Sequence, residues 1–430
     1  MYNMNRKLAA LEEAGKPIQV GVVGAGQMGR GMVTELVLIK GERPAICADI
    51  NIDLAVAAFE YAGVTEDQIV KTTDVDEAEA AIKAGKYVAT DDALLACKSP
   101  SIDVVVDVTG VPDVGAKIAL DAIEAKKHII MMNVESDVVI GPYLKKLADE
   151  AGVVYTGTNG DEPGAVMELY DFAEAIGLKV EVIGKGKNNR LDRDCNPDTV
   201  LEEATRRKMS PKMLTAFKDG TKTMVEMTAM CNATGMVPDV IGTHGIACDV
   251  KGLNDMYRLK EDDGILNKQG VVEFVRGIAP GVFVTVSTDN EEIAYQMQYH
   301  SMGPGPLWTL YRPYHLCNLE TPLTIGRAVV YNEPIIVPKG GLVAEVITVA
   351  KKDMKAGEKL DGIGGYTTYG SIDTHEHAKA EGYVPFGLIN KNAVLKKDVK
   401  RGQLLTYDDV QVDESTLIYE LRQKQDEIFG

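Results

Sequence analysis

The chain has 430 residues, more than one typical core holds, so two to three domains are expected. Its composition is that of an ordinary globular protein, and its formal net charge of −18 argues against nucleic acid and anionic membrane surfaces as partners, since both call for basic patches. No apolar run approaches the roughly 20 residues of a membrane span. Six scattered cysteines without a Cys-x-x-Cys pair argue against a metal cluster or disulfide framework and fit a reducing, cytoplasmic compartment.

Met1 to Lys16 is polar and charged, and is expected as a short helix docked on the first domain rather than a secretory signal. Ile18 to Val23 then reads as a strand running into Gly24-x-Gly26-x-x-Gly29, with an amphipathic stretch from Met32. The first glycine permits the turn, the second lets backbone approach a pyrophosphate, and the third lets helix pack on strand. Gln27 and Met28 stand at the helix start, where free N–H groups and the helix dipole favour phosphate. A second apolar run, Ala45 to Ala48, ends in Asp49, placed to hold the ribose hydroxyls of NAD.

Val64 to Gly85 is expected as a helical insertion. Ile102 to Val108 reads as a buried parallel strand ending in Thr109-Gly110, beside the expected nicotinamide position. His128 to Met132 is the next strand, followed by Asn133 and Glu135 at the carboxyl edge of the sheet, where ligands bind. The alternative is that they only cap the next helix. Asp161 and Glu162 follow a further strand. They are candidate proton carriers or ligands of a divalent metal, or, with Pro163 behind them, a helix start.

Leu178 to Ile183 opens a second domain and runs into Gly184-Lys185-Gly186-Lys187-Asn188-Asn189-Arg190. Two lysines and two amides can present cations and N–H groups to an anionic substrate, or a proton to an alkoxide. Thr221 to Ala233 reads as a helix whose Glu226 either faces the cleft or, as expected, the surface. Gly281 to Ser287 is expected as a half-buried strand. Arg312 and His315 are candidate substrate contacts, and Asn318 to Val330 a helix returning to the first domain. In the last segment, Lys351–Leu360 recurs as Lys396–Leu405 with six of ten positions identical, pointing to a small pseudo-symmetric β-rich module. His375-Glu376-His377 is left as surface.

The glycine turn, Met131-Met132-Asn133-Val134-Glu135, Gly160-Asp161-Glu162-Pro163, Gly184 to Asn189, Asp219 to Met227 and Arg312 to Leu316 together resemble the homoserine dehydrogenase-like oxidoreductases with a C-terminal SAF domain, a group that includes 1-deoxy-D-xylulose 5-phosphate reductoisomerase-like enzymes. The resemblance implies an α/β fold of three parts: a Rossmann domain over 1–160, a central substrate and dimerisation domain over 161–340, and a SAF-like domain over 341–430. It implies a homodimer that transfers hydride to or from NAD(P). Val134 stands where ordinary reductoisomerases carry lysine, which leaves Lys185 or Lys187 to supply that role. Asp49 favours NAD over NADP. A reductoisomerase and a non-catalytic dinucleotide sensor stand as alternatives.

Overall fold

The computed structural model describes residues 3–430. Met1 and Tyr2 of the N-terminal segment lie outside the described residues. The rest of it forms a helix, Met4–Glu13, whose Met4 and Leu8 are buried against the first domain.

Seven parallel strands form the first sheet: β1 (Ile18–Val23), β2 (Glu42–Ala48), β3 (Ile69–Lys71), β4 (Tyr87–Thr90), β5 (Val104–Asp107), β6 (His128–Met131) and β7 (Tyr155–Gly157). Their order is β3-β4-β2-β1-β5-β6-β7. The chain thus reverses direction across the sheet between β1 and β5, the switch point where α/β folds bind ligands. β1, β5 and β6 are buried on both faces, as expected of parallel strands covered by helices on each side. Val64–Gly85 departs from the expected helical insertion. Ile69 and Val70 pair with Tyr87 and Val88 as edge strand β3 after a single 3-10 turn at Glu66–Gln68, and α-helix is confined to Val75–Lys83, capped by the Asp74 side chain.

A second, four-stranded sheet carries β8 (Lys179–Gly186), β9 (Val271–Val275), β10 (Val282–Ser287) and β11 (Trp308–Arg312), in the order β11-β10-β8-β9. β10 is buried along all but its last residue, not half-buried as expected, because it lies inside the sheet with a helix, Glu162–Ala175, across it. That helix starts directly after the first sheet and packs on β8 and β10, so it joins the two layers. The helix Cys317–Gly326 returns to pack on the glycine-turn helix, Gln27–Leu38.

The C-terminal module holds the two-stranded sheets β12 (Ala344–Ala350) with β13 (Thr368–Thr374) and β14 (Val394–Leu395) with β15 (Val410–Gln411). The duplicated segments meet about a pseudo-twofold. Met354 and Val399 exchange backbone hydrogen bonds. Asp353 accepts from Lys400 Nζ at 2.8 Å and from Arg401 N–H at 2.9 Å, and Asp398 accepts from Lys355 Nζ at 2.7 Å and from Ala356 N–H at 3.0 Å. The closing helix, Leu417–Phe429, packs on the first domain's helices Pro112–Glu124 and Val134–Ala151. Among the described residues no helix is long and apolar enough to cross a membrane.

The glycine turn sets the entry to this architecture. Gly24 has φ +106°, and a Cβ on Gly29 would lie 1.8 Å from Gly24 O. Gly29→Ala should therefore force strand and helix apart and cost on the order of 1–3 kcal/mol. The check is the urea midpoint, which should fall with an unchanged m-value and with NADH binding weakened.

Candidate active site

A cavity of about 790 Å³ opens between the glycine turn and the second sheet. One wall is Gly26, Gln27, Met28, Val108, Thr109 and Gly110, at the carboxyl ends of β1 and β5. Gly26 to Met28 are exposed, and a Cβ on Gly26 would meet nothing within 4 Å, so the turn presents open backbone. This wall fits a dinucleotide: the first N–H groups of the helix lack intrahelical partners and point out of it. Gly24 and Gly29 shape the turn from behind rather than line the cavity.

Asp49 also lies off the cavity lining. Its Oδ2 accepts the Ala25 N–H at 2.7 Å and its Oδ1 the Asn51 N–H at 2.9 Å, which fixes the carboxylate beside the turn. Asn133 is buried and donates to Asp107 Oδ2, Thr109 Oγ1 and the Val111 carbonyl. It ties the loop Thr109–Val111 to the sheet, and its side chain does not cap the helix Val134–Ala151.

The opposite wall carries the charge. Successive side chains of a strand alternate, so Lys185 and Lys187, two apart, face the same way. Both are buried. Lys185 Nζ donates to Glu162 and to Glu226. Burial would strip its proton, but those two carboxylates hold its affinity above the ordinary lysine value. Burial likewise opposes ionisation of Glu162, but Lys185 and then His315, with Nε2 at 3.4 Å, draw its carboxyl well below the usual range. Asp161 is different: burial raises its proton affinity strongly, and Lys222 only partly offsets this. The sequence allowed Asp161 and Glu162 as site residues or as a helix start. Both line the cavity, and the helix Glu162–Ala175 begins there with Pro163 in its first turn.

Lys187 has no carboxylate partner. Its Nζ donates to the Phe217 carbonyl at 2.7 Å and lies 3.4 Å from Thr223 Oγ1. Burial, then the neighbouring Lys185, pull it down to about 8. Glu135, at the first turn of its helix, receives Lys222 Nζ at 2.9 Å. Asn188 is exposed at the mouth, and Asn189 Oδ1 accepts from Arg207 at 3.0 Å.

Three placements depart from expectation. Arg312 does not reach the cavity: it pairs with Glu320 at 2.6 Å and Glu168 at 3.1 Å and lies over the Tyr314 ring, so its charge is spent on holding the loop Pro313–Leu316. Glu226 is buried rather than exposed, because the helix Thr221–Thr234 is enclosed on all sides. Lys222, Thr223, Met209, Met213 and Phe217 line the cavity without having been singled out. Lys222 and Glu226 are four apart on one helical face, and that spacing is the signal that could have found them.

A parallel sheet with a glycine turn faces buried lysines across one cavity, and its first layer has the form of a Rossmann dinucleotide-binding domain. Two family models match the chain: homoserine dehydrogenase, NAD binding domain, over residues 24–156, and oxidoreductase DRL, catalytic domain, over residues 160–321. Among curated proteins none matches. Solved structures similar to it include a probable dehydrogenase from Thermotoga maritima, at 15% identity over 75% of this chain and 91% of that one, TM-score 0.40. Another is a UDP-N-acetylglucosamine 3-dehydrogenase from Acidithiobacillus ferrooxidans, at 12% identity over 75% and 92%, TM-score 0.40. Nothing about this chain's substrate follows from likeness at that level.

The two lysines should separate experimentally. An amine-specific reagent should modify Lys187 with a rate that rises through about pH 8, while Lys185 stays protonated and unreactive. Lys185→Met leaves Glu162 and Glu226 buried without their shared cation, and should cost on the order of 3–5 kcal/mol. Thermal unfolding of Lys185→Met and Lys187→Met, compared side by side, should show the larger loss in the former.

Proposed function

We propose that the chain transfers a hydride between NAD(H) and a small polar hydroxy or keto compound. The observation that carries this reading is that Lys187, depressed to about 8, lines the same cavity as the glycine turn. NAD(H) carries the hydride at its nicotinamide ring. Lys187 then handles the proton: as an ammonium it protonates the oxygen of a carbonyl being reduced, and as an amine it takes the proton of an alcohol being oxidised. A general acid–base group works best when its pKa lies near the working pH. Lys185, clamped by Glu162 and Glu226, keeps its charge and stabilises a developing alkoxide. Glu135 and Lys222, with Asn188 and Asn189 at the mouth, orient a polar substrate, and His315 holds Glu162 in place. Methionines Met209 and Met213 and Phe217 exclude water on one side.

Homoserine dehydrogenase-like chemistry and a SAF-like C-terminal module belong to this reading, the first supported by the NAD-binding family model and the second by the duplicated turn, and a homodimer is proposed with them. One observation favours a second reading. Carboxylate oxygens of Asp161, Glu162 and Glu226 lie within 4.8 Å of one another. If Lys185 swung away they could hold a divalent cation, as a reductoisomerase-like enzyme would need to chelate a hydroxyketone. Activity unchanged by EDTA would exclude it.

The test is a panel of hydroxy acids, amino alcohols and sugar phosphates, read by NAD(H) absorbance. At least one compound should turn over, and none doing so while NADH binds would leave a dinucleotide sensor. With an active compound, Lys187→Ala or Lys185→Ala should lose on the order of 3 kcal/mol of transition-state stabilisation, about a hundredfold in turnover, with NADH affinity nearly intact.

Cofactor preference follows from Asp49. Its carboxylate would oppose a 2′-phosphate, Asp53 adds like charge, and Arg30 is engaged over the Tyr61 ring at 4.9 Å. NADH should bind more tightly than NADPH, and Asp49→Ser with Ile50→Arg should reverse the order. Tighter NADPH binding by the wild type would contradict the assignment.

A further inference from the structure

The first lysine of each duplicated segment has a different fate. Lys396, in the second copy, is exposed and donates to the Tyr407 carbonyl of its own module at 2.8 Å. Lys351, in the first copy, is buried and reaches beyond its module as well as within it. Its Nζ donates to the carbonyls of Gly365 at 2.8 Å and Cys195 at 3.0 Å, and lies 2.8 Å from Asp219 Oδ2. Asp219 is fully buried, and that Oδ2 accepts no hydrogen bond, so what it draws from Lys351 is charge.

Asp219 stands at the hinge of the catalytic wall. Its Oδ1 accepts the Thr221 N–H at 2.9 Å and so fixes the start of the helix Thr221–Thr234, which carries Lys222, Thr223 and Glu226. Two residues before it, the Phe217 carbonyl is the acceptor for Lys187. The same module touches this wall at two further points. Gly370 N–H donates to Thr221 Oγ1 at 2.9 Å, and a Cβ on Gly364 would lie 2.0 Å from the Lys212 carbonyl.

We propose that Lys351 of the C-terminal module is a positioning residue of the active site, which neutralises buried Asp219 and thereby sets both the place and the proton affinity of Lys187. This rests on the reading of Lys187 as the proton-handling group. The groups that face Lys187 are Lys185 at the end of the strand before it, Glu226 on the adjoining helix, Asp219 just before that helix and Arg193 from the loop that follows Lys187. Of these, Glu226 and then Asp219 raise its proton affinity against burial, while Lys185 and Arg193 lower it. Without Lys351, the Asp219 charge acts on Lys187 uncompensated.

The full-length protein carrying 13C-labelled lysine tests this by NMR titration, with the Lys187 signal assigned by its loss in Lys187→Arg. Lys351→Met should move the Lys187 titration upward, towards the ordinary lysine range. Lys396→Met should leave it in place. Lys351→Met combined with Asp219→Asn, which removes both charges, should return it close to the wild-type position, a rescue that a merely structural role would not produce. If Lys351→Met does not fold, Asp219→Asn alone reads the same coupling with opposite sign and should lower the titration. An unmoved Lys187 signal in folded Lys351→Met, or an equal shift in Lys396→Met, overturns the proposal. The titration needs no substrate, so it stands or falls apart from the reading of the chain as a dehydrogenase. Where a substrate is known, Lys351→Met should shift the limb of the turnover–pH profile that reports Lys187 and leave NADH affinity unchanged.

Discussion

The structure depends on one buried ion triad, Lys185 between Glu162 and Glu226. Its three members come from three elements: β8, the helix that begins where the first sheet ends, and the enclosed helix Thr221–Thr234. A buried pair of this kind adds little net stability, because desolvation offsets the attraction, but losing one member strands the others. The three elements are thereby locked in one register, and the register places everything else. Lys187 lies two residues beyond Lys185. Asp161 precedes Glu162. Lys222 and Thr223 precede Glu226 by one turn. Two carboxylates consumed by Lys185 leave Lys187 with a carbonyl and a hydroxyl, and that difference in company separates a permanently charged lysine from one that can exchange its proton near neutrality.

Much of the fold was readable because parallel strands buried on both faces leave continuous apolar runs, and because Gly24-x-Gly26-x-x-Gly29 has a steric reason at each position. The edge strand Ile69–Lys71 was not readable. Three residues carry no periodicity, and the polar, Ala/Glu-rich surroundings read as helix. Lys185 and Lys187 were visible as an unusual clustering in an acidic chain, and both lie in the cavity wall. Their difference was not visible, since it is set by Glu226, and a glutamate in a helix reads as solvent-facing unless the helix is known to be enclosed. Arg312 misled for a related reason. A lone arginine in a loop looks available, whereas Glu320 and Glu168 approach it only in the folded chain.

The C-terminal module shows how far a local pattern can carry. The repeat of Lys-Asp-x-Lys-x-Gly pointed to pseudo-symmetry, and the reciprocal contacts of Asp353 with Lys400 and Asp398 with Lys355 realise it. These exposed pairs contribute little energy. The buried contacts that the module makes with its neighbours break the symmetry: Lys351 reaches Asp219, and the closing helix returns to the first domain. The module is thus attached both to the lysine-bearing wall of the cavity and to the first domain.

The central claim is that the glycine turn and Lys187 face a single cavity. It is tested most directly by amine labelling of Lys187, followed by mass spectrometry, with and without saturating NADH, alongside hydrogen exchange of the same samples. The account predicts that NADH slows exchange at Gln27 to Gly29 and at Thr109–Gly110 and, together with this, protects Lys187 from the reagent. Protection of the glycine turn with Lys187 labelled as fast as in the free protein would place the lysine outside the cofactor's reach and contradict the account.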